Sequence, residues 1–377
     1  MAGEKQVPGL YVHIPFCKTK CGYCDFYSMA DTGLIDDYLG ALFREIDSYR
    51  HEFTEFDTIY LGGGTPSLLS LGQIENLLGR IRKAFNILPS SEITIEANPA
   101  DLGQDDLSAL HDMGVNRINI GVQSFDDSEL AFLGRRHNSL QAMNTLGSAR
   151  LAGFDNIGLD LIYSLPGQRI EKWKASLAKA LAFGPEHISC YELELKAGTP
   201  IGLRYGQRKS GPGTEERRRT FFMKTSEILE DAGYIHYEIS NFALPMNKAS
   251  RHNQKYWDHT PYLGLGPSAH SFRERRRWWN HESLHDYLRD LKEGRLPVGS
   301  SEELGIEELA MEALFLGLRM RKGIDLERYE LTYGRNLMKH EGKLFQEWVR
   351  EGLVRLEGSV LRPTRAGMAV ADGLALL

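Results

Sequence analysis

Tyr11-Val-His-Ile-Pro-Phe-Cys17-Lys-Thr-Lys-Cys21-Gly-Tyr-Cys24-Asp-Phe26 is the stretch on which the reading of this chain turns. Its cysteines are spaced C-x3-C-x2-C and follow an apolar, strand-like run. Three thiolates on one short loop can hold three irons of a cubane, whereas a 4Fe–4S cluster normally takes four cysteines. One iron would then stay open, and an open metal position marks a catalytic rather than a structural site. Two other readings use the same residues: a zinc site with His13 as fourth ligand, or ordinary buried thiols.

Working outward, three of the four cysteines lie within eight residues, which is a metal pattern and not a disulfide framework. Cys190, alone in the strand-like run His187-Ile-Ser-Cys190-Tyr-Glu-Leu, reads as an inert core thiol. No signal peptide, transit peptide or apolar run of membrane length is present, so a reducing cytoplasm is the expected compartment. With 51 acidic and 45 basic side chains the net charge is −6, which argues against a nucleic-acid partner. At 377 residues the chain suits one large α/β domain plus a smaller one.

Strand and helix patterns alternate through the first half. Strand-like runs fall at Gly9–Phe16, Thr58–Gly62, Glu92–Ala97, Arg117–Val122, Ile157–Tyr163 and His187–Leu193, with amphipathic stretches such as Leu34–Tyr49, Leu71–Phe85, Leu140–Leu151 and Ile170–Phe183 between them. Repeated βα units predict parallel strands with helices packed outside, hence a partial (β/α)6 TIM-like barrel with its chemistry at the strand C-terminal ends. After about residue 200 the rhythm changes. Tyr205–Thr214 reads as a loop, Thr214–Ala232 as a helix and Tyr234–Phe242 as one strand. Glu302–Met320 and Asn336–Gly352 read as helices, Leu353–Pro363 as a hairpin, and a last helix starts at Thr364. That order is helical and winged-helix-like.

Gly62-Gly63-Gly64-Thr65-Pro66 ends the second strand, where glycines let a backbone approach a ligand closely. Glu96, Gln123 and Asp160 place polar side chains in successive apolar strands, and such groups need partners when buried. Arg135, twelve residues after Gln123, can add a positive charge for a carboxylate. Arg251-His252-Asn253-Gln-Lys-Tyr256-Trp257, followed by Tyr262-Leu-Gly-Leu-Gly-Pro-Ser-Ala-His270, offers imidazoles and aromatic faces. An imidazole can ligate a metal ion and an aromatic ring can stack on a flat ligand. The competing reading makes Tyr256 and Trp257 core aromatics, with His252 bonded internally. Arg273-Glu-Arg-Arg-Arg277-Trp-Trp279 reads first as a solvated loop, and second as a contact for an anionic ligand or an anionic membrane face.

The cysteine loop resembles the radical S-adenosylmethionine (SAM) superfamily. Together with the Gly-Gly-Gly-Thr-Pro, Ile-Glu-Ala-Asn-Pro, Gly-Val-Gln-Ser-Phe and Asp-Leu-Ile-Tyr segments, it is similar to the oxygen-independent coproporphyrinogen III oxidase family over nearly the whole chain. The resemblance implies a 4Fe–4S cluster on Cys17, Cys21 and Cys24, with SAM on the exchangeable fourth iron. It implies SAM contacts from Tyr11, Tyr23, Gly63, Gly64, Thr65, Glu96, Gln123, Arg135 and Asp160, and cleavage of SAM to a 5′-deoxyadenosyl radical on reduction. The oxidase branch has a fourth cysteine where this chain has Phe26, and a longer segment before its cluster loop. Both departures, and the H-N-x-x-Y-W run, match the family's haem-chaperone branch. That branch implies haem binding, with His252, Tyr256 and Trp257 as contacts, His270 as a second imidazole, and the Arg273–Arg277 run as a second-choice contact for haem propionates. It also implies transfer to an acceptor protein whose identity the sequence does not give.

The alternative function is oxidative decarboxylation of coproporphyrinogen propionates to vinyls, and a weaker third is nucleic-acid modification. SAM cleavage is expected, and coproporphyrinogen oxidation is not. The expected division is residues 1–235 for the barrel with cluster and SAM site, 236–296 for a connecting region carrying H-N-x-x-Y-W, and 297–377 for the winged-helix-like domain.

Overall fold

Each apolar run carries a second pattern, with polar or small residues at alternate positions, and that alternation sets the two faces of a sheet. The computed structural model, which describes residues 6–205 and 214–374, bears this out. The predicted loop over Tyr205–Thr214 lies almost wholly outside the described residues. Strands β1 (Gly9–Ile14), β2 (Glu55–Gly63), β3 (Asn86–Ala97), β4 (Arg117–Gln123), β5 (Ile157–Tyr163) and β6 (His187–Glu192) pair in sequence order, all parallel. The helices between them are α1 (Ile35–Tyr49), α2 (Leu71–Ala84), α3 (Gln104–Asp112), α4 (Asp127–Leu133), α5 (Ser139–Leu151) and α6 (Ile170–Phe183). This is the six-unit partial barrel that the sequence predicts.

Leu10, Val12 and Ile14, Ile59 and Leu61, Ile93 and Ile95, and their counterparts in β4 to β6 belong to one core shared with those helices. Full burial of each such side chain is worth roughly 1.5–3 kcal/mol. The opposite, inner face is polar. Tyr11 and His13, Thr58 and Tyr60, Glu92, Thr94 and Glu96, Arg117 and Asn119, Asp160, and His187 and Ser189 stand at alternate positions on it. Barrels of this class are normally filled with layers of branched apolar residues.

The sheet continues beyond the six units. After α7 (Pro200–Tyr205) and α8 (Glu215–Asp231), β7 (Ile235–Glu238) and β8 (Asn241–Ala243) form a hairpin on β6. The single strand expected over Tyr234–Phe242 is therefore two. The chain turns at Ser240, whose N–H donates to the Glu238 carboxylate, and the Asn241 amide binds the same oxygen. Helix α9 (Arg251–Trp257) follows. Then β9 (Tyr262–Leu265) joins β1 in parallel, and β10 (His270–Arg273), β11 (Arg276–Asn280) and β12 (Val298–Glu303) extend that edge antiparallel. Among the described residues the sheet has twelve strands, ordered β12-β11-β10-β9-β1-β2-β3-β4-β5-β6-β8-β7. Helix α10 (Leu284–Lys292) packs on α1.

Two further expectations change here. The basic run is a β-hairpin and not a loop, because Trp278 on β11 is buried in the main core. Glu302 and Glu303 belong to β12; the helix starts only at Ile306, where Gly305 N–H donates to Glu308 Oε2 at 2.6 Å. Helices α11 (Ile306–Arg319), α12 (Leu326–Tyr333) and α13 (Leu337–Arg350) pack with β13 (Ile324–Asp325), β14 (Val354–Glu357) and β15 (Val360–Pro363) around their own apolar core. Short helices α14 (Arg365–Met368) and α15 (Ala371–Leu374) close this winged-helix-like unit. Among the described residues no helix is long and apolar enough to cross a membrane.

Glu45 fixes the added strands to the barrel. It is fully buried in α1 and accepts from Tyr287 Oη at 2.6 Å, Asn280 Nδ2 at 2.5 Å and the Gly266 N–H at 2.9 Å. Removing it strands three buried donors, each worth about 1–3 kcal/mol when unpaired. Glu45→Ala is expected to lower the unfolding free energy in urea by about 3 kcal/mol or more. Glu45→Gln, which keeps an acceptor, should lose clearly less. Equal losses would remove Glu45 from this role.

Candidate functional site

Pro15 ends the first strand and sends the chain across the top of the barrel. Cys17 N–H donates to Met29 O at 2.9 Å and Met29 N–H to Pro15 O at 2.8 Å, so the cysteine loop is clasped at its base. Its middle is held on the far side, with Gly22 N–H donating to Leu133 O at 3.3 Å and Gly22 O accepting from Ile201 N–H at 2.9 Å. Cys17, Cys21 and Cys24 are all half-buried and free of disulfides. Two donors reach their sulfurs. Thr65 Oγ1 lies 3.4 Å from Cys17 Sγ, and Arg135 Nη1 lies 3.4 Å from Cys21 Sγ. Burial pushes the Cys24 thiol up, and the other two sulfurs add to the effect. An iron at each sulfur would reverse that and hold thiolates. Among the described residues no three His, Cys, Asp or Glu side chains are gathered tightly enough for a single ion. A cubane, whose cysteines bind different irons, needs a wider triangle.

His13 is not open as a further ligand. Its Nε2–H donates to Tyr27 O at 2.9 Å, and Nδ1 accepts from Tyr11 Oη at 3.0 Å. Burial lowers its pKa to about 4, so the ring is neutral. It forms a prop under the cysteine loop.

The glycine turn lies against the same loop. Gly63 has φ +110°, and a Cβ there would meet the His13 ring at 2.6 Å. A Cβ on Gly64 would meet Phe16 O at 2.6 Å, and its N–H donates to Ile14 O at 2.8 Å. Glu96 sits beside the turn, accepting from Gly63 N–H at 3.1 Å and from Tyr60 Oη at 2.7 Å. Burial raises the Glu96 pKa to about 7; Asp160 adds to the rise while the two donors oppose it.

The remaining expected residues face the same space. Arg135 Nη2 donates to Gly121 O at 2.8 Å, and Tyr23 lies against its guanidinium. Asp160 Oδ2 accepts from Asn119 Nδ2 at 2.8 Å. Gln123 has φ +66°, at the end of β4. Gln123 Oε1, Asp160 Oδ1 and Arg135 Nε are buried and unpartnered. A natural protein seldom leaves such atoms unpaired, so a close backbone cradle ringed by orphaned polar atoms fits a polar small ligand. The structure thus brings together Tyr11 and Asp160 from the inner face, Gly63, Gly64, Thr65, Glu96 and Gln123 from the strand ends, and Tyr23 and Arg135 from the loops above them.

Sequence reasoning misses Tyr60, Asn119 and His13 in these supporting roles. The signal that could find them is position: each stands on the inner face, two or more residues from a functional polar residue of its own strand or beside one on the neighbouring strand.

The H-N-x-x-Y-W run lies elsewhere. Ser250 caps α9, and the N–H groups of Arg251 and His252 donate to the Glu92 carboxylate at 3.2 and 3.1 Å. Glu92 is at the lower, N-terminal end of the barrel interior. His252 is 1% exposed. Its Nδ1 is 2.8 Å from Thr58 Oγ1 and its Nε2 2.8 Å from Tyr256 Oη. Burial lowers its pKa to about 3. With both nitrogens bonded and the ring enclosed, His252 is not presented to haem. Tyr256 packs edge-on to Tyr262 with ring centroids 4.7 Å apart. Trp257 lies under Arg319 of α11, 5.5 Å from the ring centroid. The motif forms a barrel floor, which corrects the expected role of His252 as a haem contact; Tyr256 and Trp257 are half-buried, and Trp257 Nε1 is unpartnered.

The basic hairpin is also committed internally. Arg273 donates to Glu52 O and Arg275 to Leu304 O, Arg276 lies over Trp278, and Arg277 pairs with Glu302 and Glu312. The structure gives no support to its expected contact with propionates or a membrane face.

Residues 11–180 match the radical SAM superfamily, and residues 306–370 match the HemN C-terminal domain. "Heme chaperone HemW" of Lactococcus lactis is 35% identical over 97% of this chain and 95% of its own length. The protein of the same name from Bacillus subtilis is 34% identical over 96% of each chain. Mouse "Radical S-adenosyl methionine domain-containing protein 1, mitochondrial" is 32% identical over 97% of this chain and 86% of its own. Coproporphyrinogen III oxidase (HemN) of Escherichia coli shares the fold, with TM-score 0.86 and 23% identity over 100% of this chain and 91% of that one. A radical SAM domain implies a 4Fe–4S cluster and SAM.

After anaerobic reconstitution, Cys17→Ser, Cys21→Ser and Cys24→Ser are each expected to lose most bound iron and sulfide. Cys190→Ser, at a thiol buried in the main core, should retain both. Full incorporation in any of the first three would remove that cysteine from the ligand set.

Proposed function

Because the chain belongs to the haem chaperone HemW family of the radical SAM superfamily, we propose that it binds haem and passes it to an acceptor protein, while holding SAM at a 4Fe–4S cluster. The observation that carries this reading is the match to haem chaperones along 97% of the chain. Phe26 adds to it, standing 65% exposed beside the cluster loop at the position where the oxidase branch has a cysteine.

Cys17, Cys21 and Cys24 would hold the cluster, leaving one iron for SAM. A bound, reduced cluster would supply one electron to the SAM sulfonium. This chain's own residues position the ligand. Gly63 and Gly64 would let it approach the backbone, and Glu96 would face its amino group. The Arg135 guanidinium suits its carboxylate. Gln123 and Asp160 supply acceptors for ribose hydroxyls. Tyr11, Tyr23 and Thr65 stand beside these groups, and Thr65 and Arg135 reach the Cys17 and Cys21 sulfurs, where they would tune a bound cluster as outer-shell donors do.

The functional test is direct. The reconstituted protein should bind haem in a saturable absorbance titration and lose it to an added haem-accepting apoprotein. It should also make no protoporphyrinogen from coproporphyrinogen III with SAM and reductant. Protoporphyrinogen above a no-SAM control, without haem binding, would make it an oxidase and end the chaperone reading.

The SAM site makes a pH prediction. Burial holds the Glu96 carboxyl of the ligand-free site neutral below about 7, so pairing it with an ammonium in that range must release a proton. SAM affinity should therefore rise between pH 6 and 7.5. It should fall again once the ligand's own α-ammonium loses its proton, near about pH 8. Glu96→Gln should weaken binding and abolish the acid limb in isothermal titration. An unchanged acid limb would detach Glu96 from the amine.

A further inference from the structure

The extended edge of the sheet carries the polar inner face of the barrel onward. Tyr262 and Gly264 of β9 pair with Gly9 and Tyr11 of β1, so they share the inner face. Phe272 of β10 pairs with Tyr262, and residues two apart on a strand share a face, so His270 belongs to it as well. Trp279 of β11 is paired with His270. His270 and Trp279 therefore stand on the same face as Tyr11 and His13, the residues that underlie the cysteine loop.

Other imidazoles that point into this face are enclosed; His187 keeps an unpartnered Nδ1, but it is buried beyond reach of a large ligand. His13, His187 and His252 are buried and hydrogen-bonded to Tyr11 and Tyr27, to Tyr237, and to Thr58 and Tyr256. His270 is exposed. Its ring stacks on Trp279 at 5.4 Å between centroids and 24° between planes. No hydrogen bond engages its ring nitrogens among the described residues. Partial desolvation and the Arg277 charge hold its pKa below the ordinary value, which keeps a nitrogen lone pair available at neutral pH. The indole fixes the plane of the imidazole on one side and leaves the ring edge open, as an axial ligand requires.

We propose that His270 is the axial ligand of bound haem, held in orientation by Trp279, on the face of the sheet that also bears the cluster and SAM site. This rests on the haem-chaperone reading and assigns its ligand. The iron accepts a lone pair from one imidazole nitrogen, and no electron is transferred in that step.

The test uses the full chain with haem as the titrant, read by absorbance and by resonance Raman or electron paramagnetic resonance of the bound iron. His270→Ala is expected to weaken haem binding by at least about tenfold and to lose the imidazole-ligand signature. Free imidazole should restore that signature. His270→Met keeps a potential ligand of different chemistry and should shift the spectrum, so it carries the test if the alanine variant is poorly folded by circular dichroism. His252→Gln should leave the spectrum of bound haem unchanged. Wild-type spectra and affinity in both His270 variants would overturn the assignment. Absence of haem binding by the unmodified protein would instead overturn the chaperone reading itself.

Discussion

Two backbone N–H groups at the start of α9 donate to the buried carboxylate of Glu92, and the barrel depends on that contact. The six-stranded wall turns tyrosines, histidines, carboxylates and a guanidinium toward its own interior. Groups of that kind cost several kcal/mol when buried without partners. They are tolerable only if the lower end is closed by something that itself carries donors. An N-terminal turn of helix does this, because its N–H groups have no partner within the helix. His252 then fills the space above, between Thr58 and Tyr256. Its ring also lies 5.2 Å from Tyr60, whose hydroxyl bonds Glu96. The floor of the barrel is thus one residue away from the carboxylate beside the glycine turn. Arg117, 1% exposed with Nε and Nη1 unpaired, shows how much polarity remains enclosed even after this closure. Ordered water is the ordinary partner for such atoms.

The C-terminal unit is fastened to the same floor. Arg319 of α11 lies over Trp257, and Glu312 of α11 bonds both His259 and Arg277. On the opposite edge of the sheet, Arg321 N–H donates to Tyr237 O at 3.0 Å, while Arg321 and Arg365 share the Glu230 carboxylate. Both ends of the winged-helix-like unit are therefore tied to the barrel. One tie is through the α9 helix and the added strands, the other through α8 and β7. Part of the charge on its helices goes into these ties and into local pairs such as Arg319–Asp372 and Arg350–Glu347.

Much of this architecture is legible in the amino-acid sequence. The six βα units show themselves because outer-face residues such as Leu10, Val12 and Ile14 recur with period two and the helices with period near 3.6. The cysteine loop and glycine turn show themselves because their chemistry depends on local spacing. What the sequence hides depends on distant partners. His252 has the composition of a ligand, and only Thr58, 194 residues away in sequence, reveals that its ring is occupied. The arginines between Arg273 and Arg277 look solvated until Glu52, Leu304 and Glu312 are brought to them. Tyr234–Phe242 reads as one strand because Glu238, the residue that staples its turn, resembles any exposed polar position. Tyr60 and Asn119 are readable in principle, since each follows the same inner-face alternation as Glu96 and Asp160.

The arrangement bears on how one fold can serve either radical chemistry or haem handling. The cradle made by the cysteine loop, the glycine turn, Glu96 and Arg135 is local to the strand ends, and nothing in it specifies what is handled beyond. That choice falls to residues around the mouth and along the extended edge. Phe26 there removes a thiol from beside the cluster loop and presents an exposed ring instead. On the added strands, Gly264 must lack a side chain because a Cβ would meet His270 O at 2.1 Å, so β9 and β10 approach closely there. That approach sets His270 at the inner face with Trp279 behind it. In the proposed assignment the cargo and the cofactor share one continuous surface. Tyr11 and His13 lie on the strand between them, Tyr11 Oη bonding the His13 ring and His13 Nε2 donating to Tyr27 O just after the cysteine loop.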